Sequence, residues 1–123
     1  MSVKLTTRQV GDVTVIDVAG RITLGEGSSA LRDNLRELVK ENHKNILLNL
    51  KEVTYIDSSG IGELVRNYMT VIKSGGTMKV VGLSAKVEDI LKITQLHKVF
   101  PEFPDEEAAL KSFPQSSDKS SQS

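Results

Sequence analysis

The sequence predicts an α/β fold, in which a mixed, mostly parallel β-sheet is opened by an N-terminal β-hairpin and covered by about four helices. Strand-like and helix-like patterns alternate in a short rhythm, as in sheets built from βαβ units. Residues 46–50 form an apolar run interrupted only by Asn49, typical of a strand buried on both faces. The 123 residues, 38% of them hydrophobic, fit one domain over residues 1–113. Residues 114–123 are predicted to be a disordered polar tail.

The first two strands are predicted to pair as the hairpin. Residues 3–7 alternate between apolar or β-branched and polar side chains, Gly11-Asp12 supplies a turn, and residues 13–18 are mostly β-branched. Gly20 is expected to end the second strand. The first helix should then begin at a cap formed by Ser28 or Ser29. Its buried face is predicted to comprise Leu31, Leu35, Leu38 and Val39.

A second helix is predicted directly after the apolar strand, starting at residue 58. Its buried stripe should contain Ile61, Leu64, Val65, Tyr68 and Ile72, and its outer face Glu63, Arg66, Asn67, Thr70 and Lys73. Gly75-Gly76 is predicted to end this helix in a turn, and residues 78–82 are predicted to form a parallel strand.

The C-terminal third of the chain is predicted to contain two more helices. Ser84 is placed to cap the first, and the sequence Pro104-Asp105-Glu106-Glu107 is typical of the first turn of the second. Residues 96–100 are expected to be a short extended piece. The inward residues should be Val87, Ile90, Leu91 and Thr94 in the third helix and Ala108, Leu110 and Phe113 in the fourth.

Composition excludes several classes of function. The 16 basic and 16 acidic residues cancel, and no predicted element gathers cations on one face, so nucleic acid and membrane surfaces are not expected partners. No apolar stretch approaches the ~20 residues that span a bilayer, and residues 1–4 lack the apolar core of a signal peptide. The absence of cysteine excludes disulfides and thiolate chemistry. A cytoplasmic location is therefore predicted.

The most informative motif is Asp57-Ser58-Ser59-Gly60, where the central strand meets the second helix. The unpaired N–H groups and the dipole at a helix start favour negative charge, so a phosphate on Ser58 would be stabilised there. Asp and Ser are also the preferred N-cap residues, and simple capping is the alternative interpretation. Gly60 and Gly62 suggest a close approach of the helix to the sheet or to a partner.

These residues and the order of elements resemble the STAS domain, specifically the stand-alone bacterial anti-sigma factor antagonists. The resemblance covers residues 3–113. It is carried by the following segments: Val18-Ala19-Gly20, Leu47-Leu48-Asn49-Leu50, Asp57-Ser58-Ser59-Gly60-Ile61-Gly62, Gly75-Gly76, and Ile93-Thr94-Gln95-Leu96 before Val99-Phe100.

The resemblance implies a phosphorylation switch rather than an enzyme. In that family the unphosphorylated antagonist binds an anti-sigma factor that is also a serine kinase with a histidine-kinase-type ATP fold, and so frees the sigma factor. Phosphorylation breaks the complex, and a metal-dependent serine phosphatase restores it. The serine directly after the Asp is the phosphorylated residue, which corresponds to Ser58 here, with Ser59 the weaker candidate.

Two residues near the end of the second strand complete the predicted partner-binding set, which is Asp57, Ser58, Ser59, Gly60, Gly62, Arg21 and Thr23. Thr23 stands where the family usually has Asp, so it keeps hydrogen-bonding capacity without the charge. Arg21 adds a cation that could pair with Asp57, hold a phosphate by a bidentate contact, or remain a solvated loop residue.

Other chemistry is poorly supported. Ser58 as a nucleophile lacks a motif partner, since His43 and His97 lie in unrelated contexts and no G-x-S-x-G elbow is present. The pairs Asp57 with Glu63 and Glu106 with Glu107 match no metal-ligand spacing, and no nucleotide P-loop lysine follows Gly60, so no metal or cofactor is predicted. Two alternatives stay open, namely a non-phosphorylated regulatory subunit of a sensory or transport assembly, and a nucleotide- or anion-sensing module.

Overall fold

The computed structural model describes residues 3–23, 25–101 and 103–113, and it confirms the predicted α/β architecture with one mixed sheet. The strand order is β1-β2-β3-β4, with β1 antiparallel to β2 and the remaining pairs parallel. The predicted tail, residues 114–123, lies outside the described residues. The elements are β1 (Val3–Val10), β2 (Val13–Ile22), α1 (Glu26–Lys40), β3 (Asn45–Ile56), α2 (Ser58–Lys73), β4 (Thr77–Val81), α3 (Ala85–Ile93), a 3-10 turn (Leu96–Lys98) and α4 (Glu106–Lys111).

The two central strands are longer than predicted. Gly20 does not end β2, because the strand continues to Ile22 with a shift in its register against β3 between Gly20 and Arg21. β3 likewise continues beyond its apolar run to Ile56, which pairs with Ile22. The extended ends of β2 and β3 therefore lie side by side where α2 begins.

The sheet separates two hydrophobic cores of unequal size. The larger core lies under α1, α2 and α3, and alternate residues of β2, β3 and β4 supply its floor. The smaller core lies on the opposite face under α4. The larger core includes Ile16, Val18, Leu31, Leu35, Ile46, Leu48, Leu64, Val71, Met78, Val80, Leu91 and Phe100. The smaller one comprises Val13, Val15, Leu47, Val81, Ala109 and Phe113.

Helices α2 and α3 begin at their predicted caps, whereas α4 begins at Glu106, after the Pro104-Asp105 pair that was predicted to lie in its first turn. Asp57, Ser84 and Asp105 each cap a helix with a side-chain oxygen that accepts a backbone N–H, which satisfies one unpaired donor of the first turn. The prediction for α1 was wrong, since this helix begins earlier, after Gly25, with no side-chain cap. The Ser28 hydroxyl lies inside the first turn and donates to the Thr23 carbonyl oxygen at 2.8 Å, which ties α1 to the end of β2.

Some buried faces also differ from the prediction. On α2, Glu63 and Asn67 are buried rather than exposed, and Ile72 is 40% exposed rather than buried. In the C-terminal third, Thr94 is exposed rather than buried, and its hydroxyl donates to the Ile90 carbonyl oxygen of its own helix. Residues 96–98 form the 3-10 turn instead of an extended piece, and Ala109 rather than Ala108 is the fully buried alanine of α4.

An ion-pair cluster fastens α4 to the smaller-core face of the sheet. The Arg8 guanidinium donates to the Asp17 carboxylate at 2.6 and 3.0 Å and to the Glu106 carboxylate at 2.6 and 3.1 Å. Asn49 donates to Glu106 at 2.9 Å. Hydrogen bonds from Arg8 hold the pKa of both carboxyls below their ordinary range. The cluster therefore stabilises the folded state when its acids are ionised.

This cluster makes stability depend on pH in the acid range. Because the folded-state pKa values of Asp17 and Glu106 are depressed, their contribution is complete above the unfolded-state values near 4 and is lost as pH falls through the folded ones. The side chains are 28% to 41% exposed, so solvent screening limits each pair to about 0.5–1 kcal/mol.

We expect Arg8→Gln to lower the free energy of unfolding by about 1–2 kcal/mol at pH 7 and by much less at pH 3. Urea melts at both pH values measure this, with Lys4→Gln on the same strand as the charge-matched control. Equal losses for Arg8→Gln at the two pH values would contradict it.

Candidate functional site

The candidate site is the corner where β3 passes into α2. Asp57 has an extended backbone, its Oδ1 accepts the Gly60 N–H at 2.8 Å, and its carbonyl oxygen accepts the Ile61 N–H at 2.9 Å. Its own N–H donates to the Ile22 carbonyl oxygen at 3.4 Å, which joins the corner to the end of β2. The Asp57 carboxylate is thereby used in capping and holds the first turn of α2 in a fixed orientation.

The two serines of the motif differ in accessibility. Ser58 is exposed, and its hydroxyl makes no hydrogen bond to any residue that the structure describes, whereas Ser59 is half-buried. Gly60 is buried against the sheet. The hydroxyl at the first position of α2 is therefore presented to solvent on a fixed backbone, next to the positive end of the helix dipole.

The end of β2 supplies the other predicted residues. Arg21 is exposed, and its guanidinium carbon lies 4.7 Å from the ring centre of Tyr55 on the neighbouring strand. Arg21 therefore makes a cation–π contact with Tyr55 and forms no ion pair with Asp57, which was one of its three predicted roles. Thr23 is half-buried, and its carbonyl oxygen accepts the N–H and hydroxyl of Ser28. All seven predicted residues thus lie on adjacent strand ends or on the first turns of α2.

The two glycines of the motif have different surroundings. A Cβ on Gly60 would clash with the Ile22 carbonyl oxygen and lie 2.7 Å from the Ile56 side chain, so this glycine allows close approach of α2 to the sheet. A Cβ on Gly62 would meet only the Arg66 guanidinium, with its nearest nitrogen at 3.5 Å. The predicted helix-to-sheet contact is therefore confirmed for Gly60, while Gly62 faces outward.

A charged group beside the corner was missed by the sequence reasoning. Glu63 is 1% exposed, and its Oε1 accepts Arg66 Nη2 at 3.1 Å and Arg32 Nη1 at 3.5 Å. Arg32 also donates to the Ser29 hydroxyl at 3.1 Å. The only sequence signal was the i, i+3 spacing of Glu63 and Arg66, which also fits an ordinary surface pair.

The histidines do not complete a catalytic arrangement with Ser58. His43 Nδ1 lies 2.8 Å from the Thr14 hydroxyl near the start of β2, at the opposite end of the sheet. His97 is exposed in the 3-10 turn. In the described ranges, no cluster of three or more His, Asp and Glu side chains could hold a metal ion. None of the helices described is both long and apolar enough to cross a membrane.

A small hollow lies beside the corner, between the end of β3 and the start of α3. Its volume is about 150 Å³, and Tyr55, Ile56, Leu83 and Val87 contribute to its walls. Sites for drug-sized ligands usually measure roughly 300–1,000 Å³. This hollow is therefore too small to enclose a nucleotide.

Comparisons with known proteins agree on one family. The family model described as the STAS domain matches residues 4–109. Among curated proteins, the anti-sigma-B factor antagonist of Bacillus subtilis (strain 168) is 28% identical over 99 residues, which cover 80% of this chain and 89% of that protein. The match therefore extends over nearly the whole length of this relative.

Solved structures share the fold. An anti-sigma factor antagonist from Mycobacterium paratuberculosis has a TM-score of 0.77 at 23% identity, with 91% of this chain and 94% of that chain covered. The Bacillus cell fate determinant SpoIIAA, solved in its phosphorylated form, has a TM-score of 0.69 at 16% identity, with 88% and 98% covered. At these identities the likeness demonstrates a common backbone architecture.

Proposed function

The chain belongs to the STAS domain family, and we propose that it is an anti-sigma factor antagonist whose partner binding is switched off by phosphorylation of Ser58. The observation that carries the proposal is the exposed Ser58 hydroxyl on the first residue of α2, directly after the capping Asp57. A relative named as an anti-sigma-B factor antagonist supports the partner class. The phosphorylated form of SpoIIAA supports the modification by analogy of fold.

In the proposed cycle, the unphosphorylated corner binds an anti-sigma factor and releases the sigma factor. The anti-sigma factor is also a serine kinase with a histidine-kinase-type ATP fold, and it transfers a phosphoryl group to Ser58. The phosphate adds about −1.5 to −2 charge at pH 7, which makes a fitted contact repulsive without refolding the domain. A metal-dependent serine phosphatase removes it. The protein is a cytoplasmic substrate and regulator in this cycle, without catalytic activity of its own.

The partner-binding surface of this proposal is the corner itself. It includes Asp57, Ser58, Ser59, Gly60 and Gly62 from the start of α2 and Arg21 and Thr23 from the end of β2. Thr23 contributes no charge where family members usually have Asp, and Arg21 is held by Tyr55 in an exposed position. A guanidinium at this place favours an acidic group on the anti-sigma partner.

The proposal is tested by isolating the protein from its native cells with its partners and locating phosphate by mass spectrometry. We expect an ATP-binding kinase-like protein to co-purify, and phosphate to be found on Ser58. The phosphate should disappear in Ser58→Ala and persist in Ser59→Ala. Recovery within a multi-protein or membrane assembly, with Ser58 unmodified, would favour the regulatory-subunit alternative. Retention of nucleotide alone would favour the sensing module.

We also propose that residues 115–123 take no part in folding or in this switch, since this segment offers no apolar side chain for burial. Deleting residues 115–123 is expected to change the melting temperature by less than about 2 °C and partner affinity by less than about twofold. Calorimetry and a binding titration measure the two quantities. A fall of several degrees would contradict the proposal, because it corresponds to ~1 kcal/mol of lost contacts in a domain of this size.

A further inference from the structure

The charged group beside the corner consists of the Glu63 carboxylate and the guanidinium groups of Arg66 and Arg32. Burial removes the Glu63 carboxylate from water, which costs free energy unless the charge is paired. Glu63 is almost completely enclosed between α1 and α2, and one of its oxygens, Oε2, is buried without a hydrogen-bond partner in the described residues. An ionised carboxylate in such a place requires nearby cations. Arg66 and Arg32 provide them, both through the other oxygen, Oε1. Glu63 therefore acts as an anchor that holds two guanidinium groups at this edge of α2.

Of these two, Arg66 extends along α2 from its own position toward Gly62, one turn nearer the start of the helix. Its Nη1 lies 3.5 Å from the position that a Cβ on Gly62 would occupy, so the side chain leans toward the N-terminus of α2. Residues 58 and 62 are one helical turn apart, a spacing that places their Cβ positions about 5–6 Å from each other. Because residue 62 is glycine, it places no side chain of its own between the Ser58 hydroxyl and the Arg66 guanidinium.

Arg66 also has hydrogen-bond donors that its contact with Glu63 does not use. A guanidinium carries five N–H groups, and the one side-chain hydrogen bond described for Arg66 is the single contact to Glu63. The Arg66 side chain is 66% exposed, so it can rotate without breaking a packed core. The other nearby arginines are more committed, since Arg21 stacks on Tyr55 and Arg32 binds both Glu63 and Ser29.

We propose that Arg66 binds the phosphoryl group on Ser58 in the phosphorylated protein, with Glu63 holding the guanidinium near the site. This inference rests on the proposed function and adds a mechanism for the inactive state. A phosphate and a guanidinium form short, charge-assisted and often bidentate hydrogen bonds. The contact neutralises part of the new charge within the free protein, and it withdraws Arg66 from the surface offered to the partner. Phosphorylation then has two effects on binding, repulsion at Ser58 and loss of a cation at Arg66.

The test uses full-length protein in which phosphoserine is incorporated at position 58 during synthesis, so that no kinase is needed. A ³¹P NMR titration gives the second pKa of the phosphate. A nearby cation favours the dianion, so we expect this pKa to be about 0.5–1 unit lower in the parent than in Arg66→Gln. Arg66→Lys should recover part of the shift, since lysine restores the charge without the bidentate geometry. Lys73→Gln, an equal change of charge in the last turn of the same helix, should leave the pKa unchanged.

Two results would overturn the proposal: equal phosphate pKa values in the parent and Arg66→Gln, or an equal displacement by Lys73→Gln, which would indicate a general field. Matching circular dichroism melts for all variants exclude unfolding as the cause. Because phosphoserine is incorporated directly, the outcome is independent of whether a kinase modifies Ser58 in the cell. If the phosphate pKa differs between the parent and Arg66→Gln but no kinase modifies Ser58 in the native cell, the Arg66 contact is supported and the proposed function is not. If Ser58 is phosphorylated in the native cell but the two phosphate pKa values are equal, the proposed function is supported and the Arg66 contact is not.

Discussion

Replacing Ser58 by aspartate is expected to weaken binding to the anti-sigma partner by well over tenfold while leaving the fold intact. The Ser58 side chain is exposed at the proposed interface, so a carboxylate there would be buried on binding without a partner group. A buried, unpaired interfacial charge typically costs about 2–5 kcal/mol, and each 1.4 kcal/mol is roughly a factor of ten in affinity. Titration calorimetry with the purified partner measures the change.

The matched variant for this experiment is Ser58→Ala, which removes the hydroxyl without adding charge. It should bind like the unphosphorylated protein, and ATP should no longer dissociate its complex. Both variants should melt close to the parent, since the first turn of a helix accepts an acidic residue and α2 keeps its Asp57 cap. Wild-type affinity for Ser58→Asp would place the switch elsewhere and strengthen the regulatory-subunit alternative.

Replacing Gly60 by alanine is expected to destabilise the domain by about 1–3 kcal/mol, the range typical of overpacking. The new methyl group would meet the backbone carbonyl of Ile22, which cannot move away without disturbing the pairing of β2 with β3. The displacement would also disturb the hydrogen bond from the Gly60 N–H to Asp57. Urea denaturation measures the loss, and partner binding should weaken as the corner moves.

Gly62→Ala is the control for that substitution because it makes the same chemical change two residues further along α2. Its methyl group would meet only the end of the flexible Arg66 side chain at ordinary contact distance. Alanine is favoured over glycine inside a helix by roughly 1 kcal/mol, so Gly62→Ala should be neutral or stabilising. If both variants lost equal stability, the close approach of Gly60 to β2 would not be the cause.

Local signals in the sequence were sufficient to predict the sheet, two capped helix starts and the corner between β3 and α2. The apolar run before Asp57 predicted the central strand, and Asp57 and Ser84 predicted two helix caps, because strand burial and capping depend on neighbouring residues. Residues 104–107 predicted the last helix, although Asp105 caps it rather than lying in its first turn. The same signals predicted that Ser58 would stand at a helix start, as it does.

Features set by contacts between distant residues could not be predicted in this way. Glu63 and Asn67 are polar, so spacing alone assigned them to the outer face of α2, yet α1 packs there and Arg32 offsets the buried carboxylate. The extension of β2 beyond Gly20 depends on a register shift against β3, a property of the pair of strands rather than of either sequence.

The unequal lengths of β3 and β4 create a risk of self-association that the fold counters. β4 accompanies β3 only from Asn45 to Asn49, so in the described residues the later part of β3 has a strand neighbour only on its β2 side. Open strand edges can template aggregation. Here Gly82, with φ of 83°, turns the chain so closely against β3 that a Cβ would lie 2.6 Å from the Lys51 backbone nitrogen. Lys51 and Glu52, which are exposed, place charged side chains on the same part of β3. In the part of the chain that the structure describes, the strand that carries the corner therefore has a tight turn and two charged residues, rather than a partner strand, along this part of its edge.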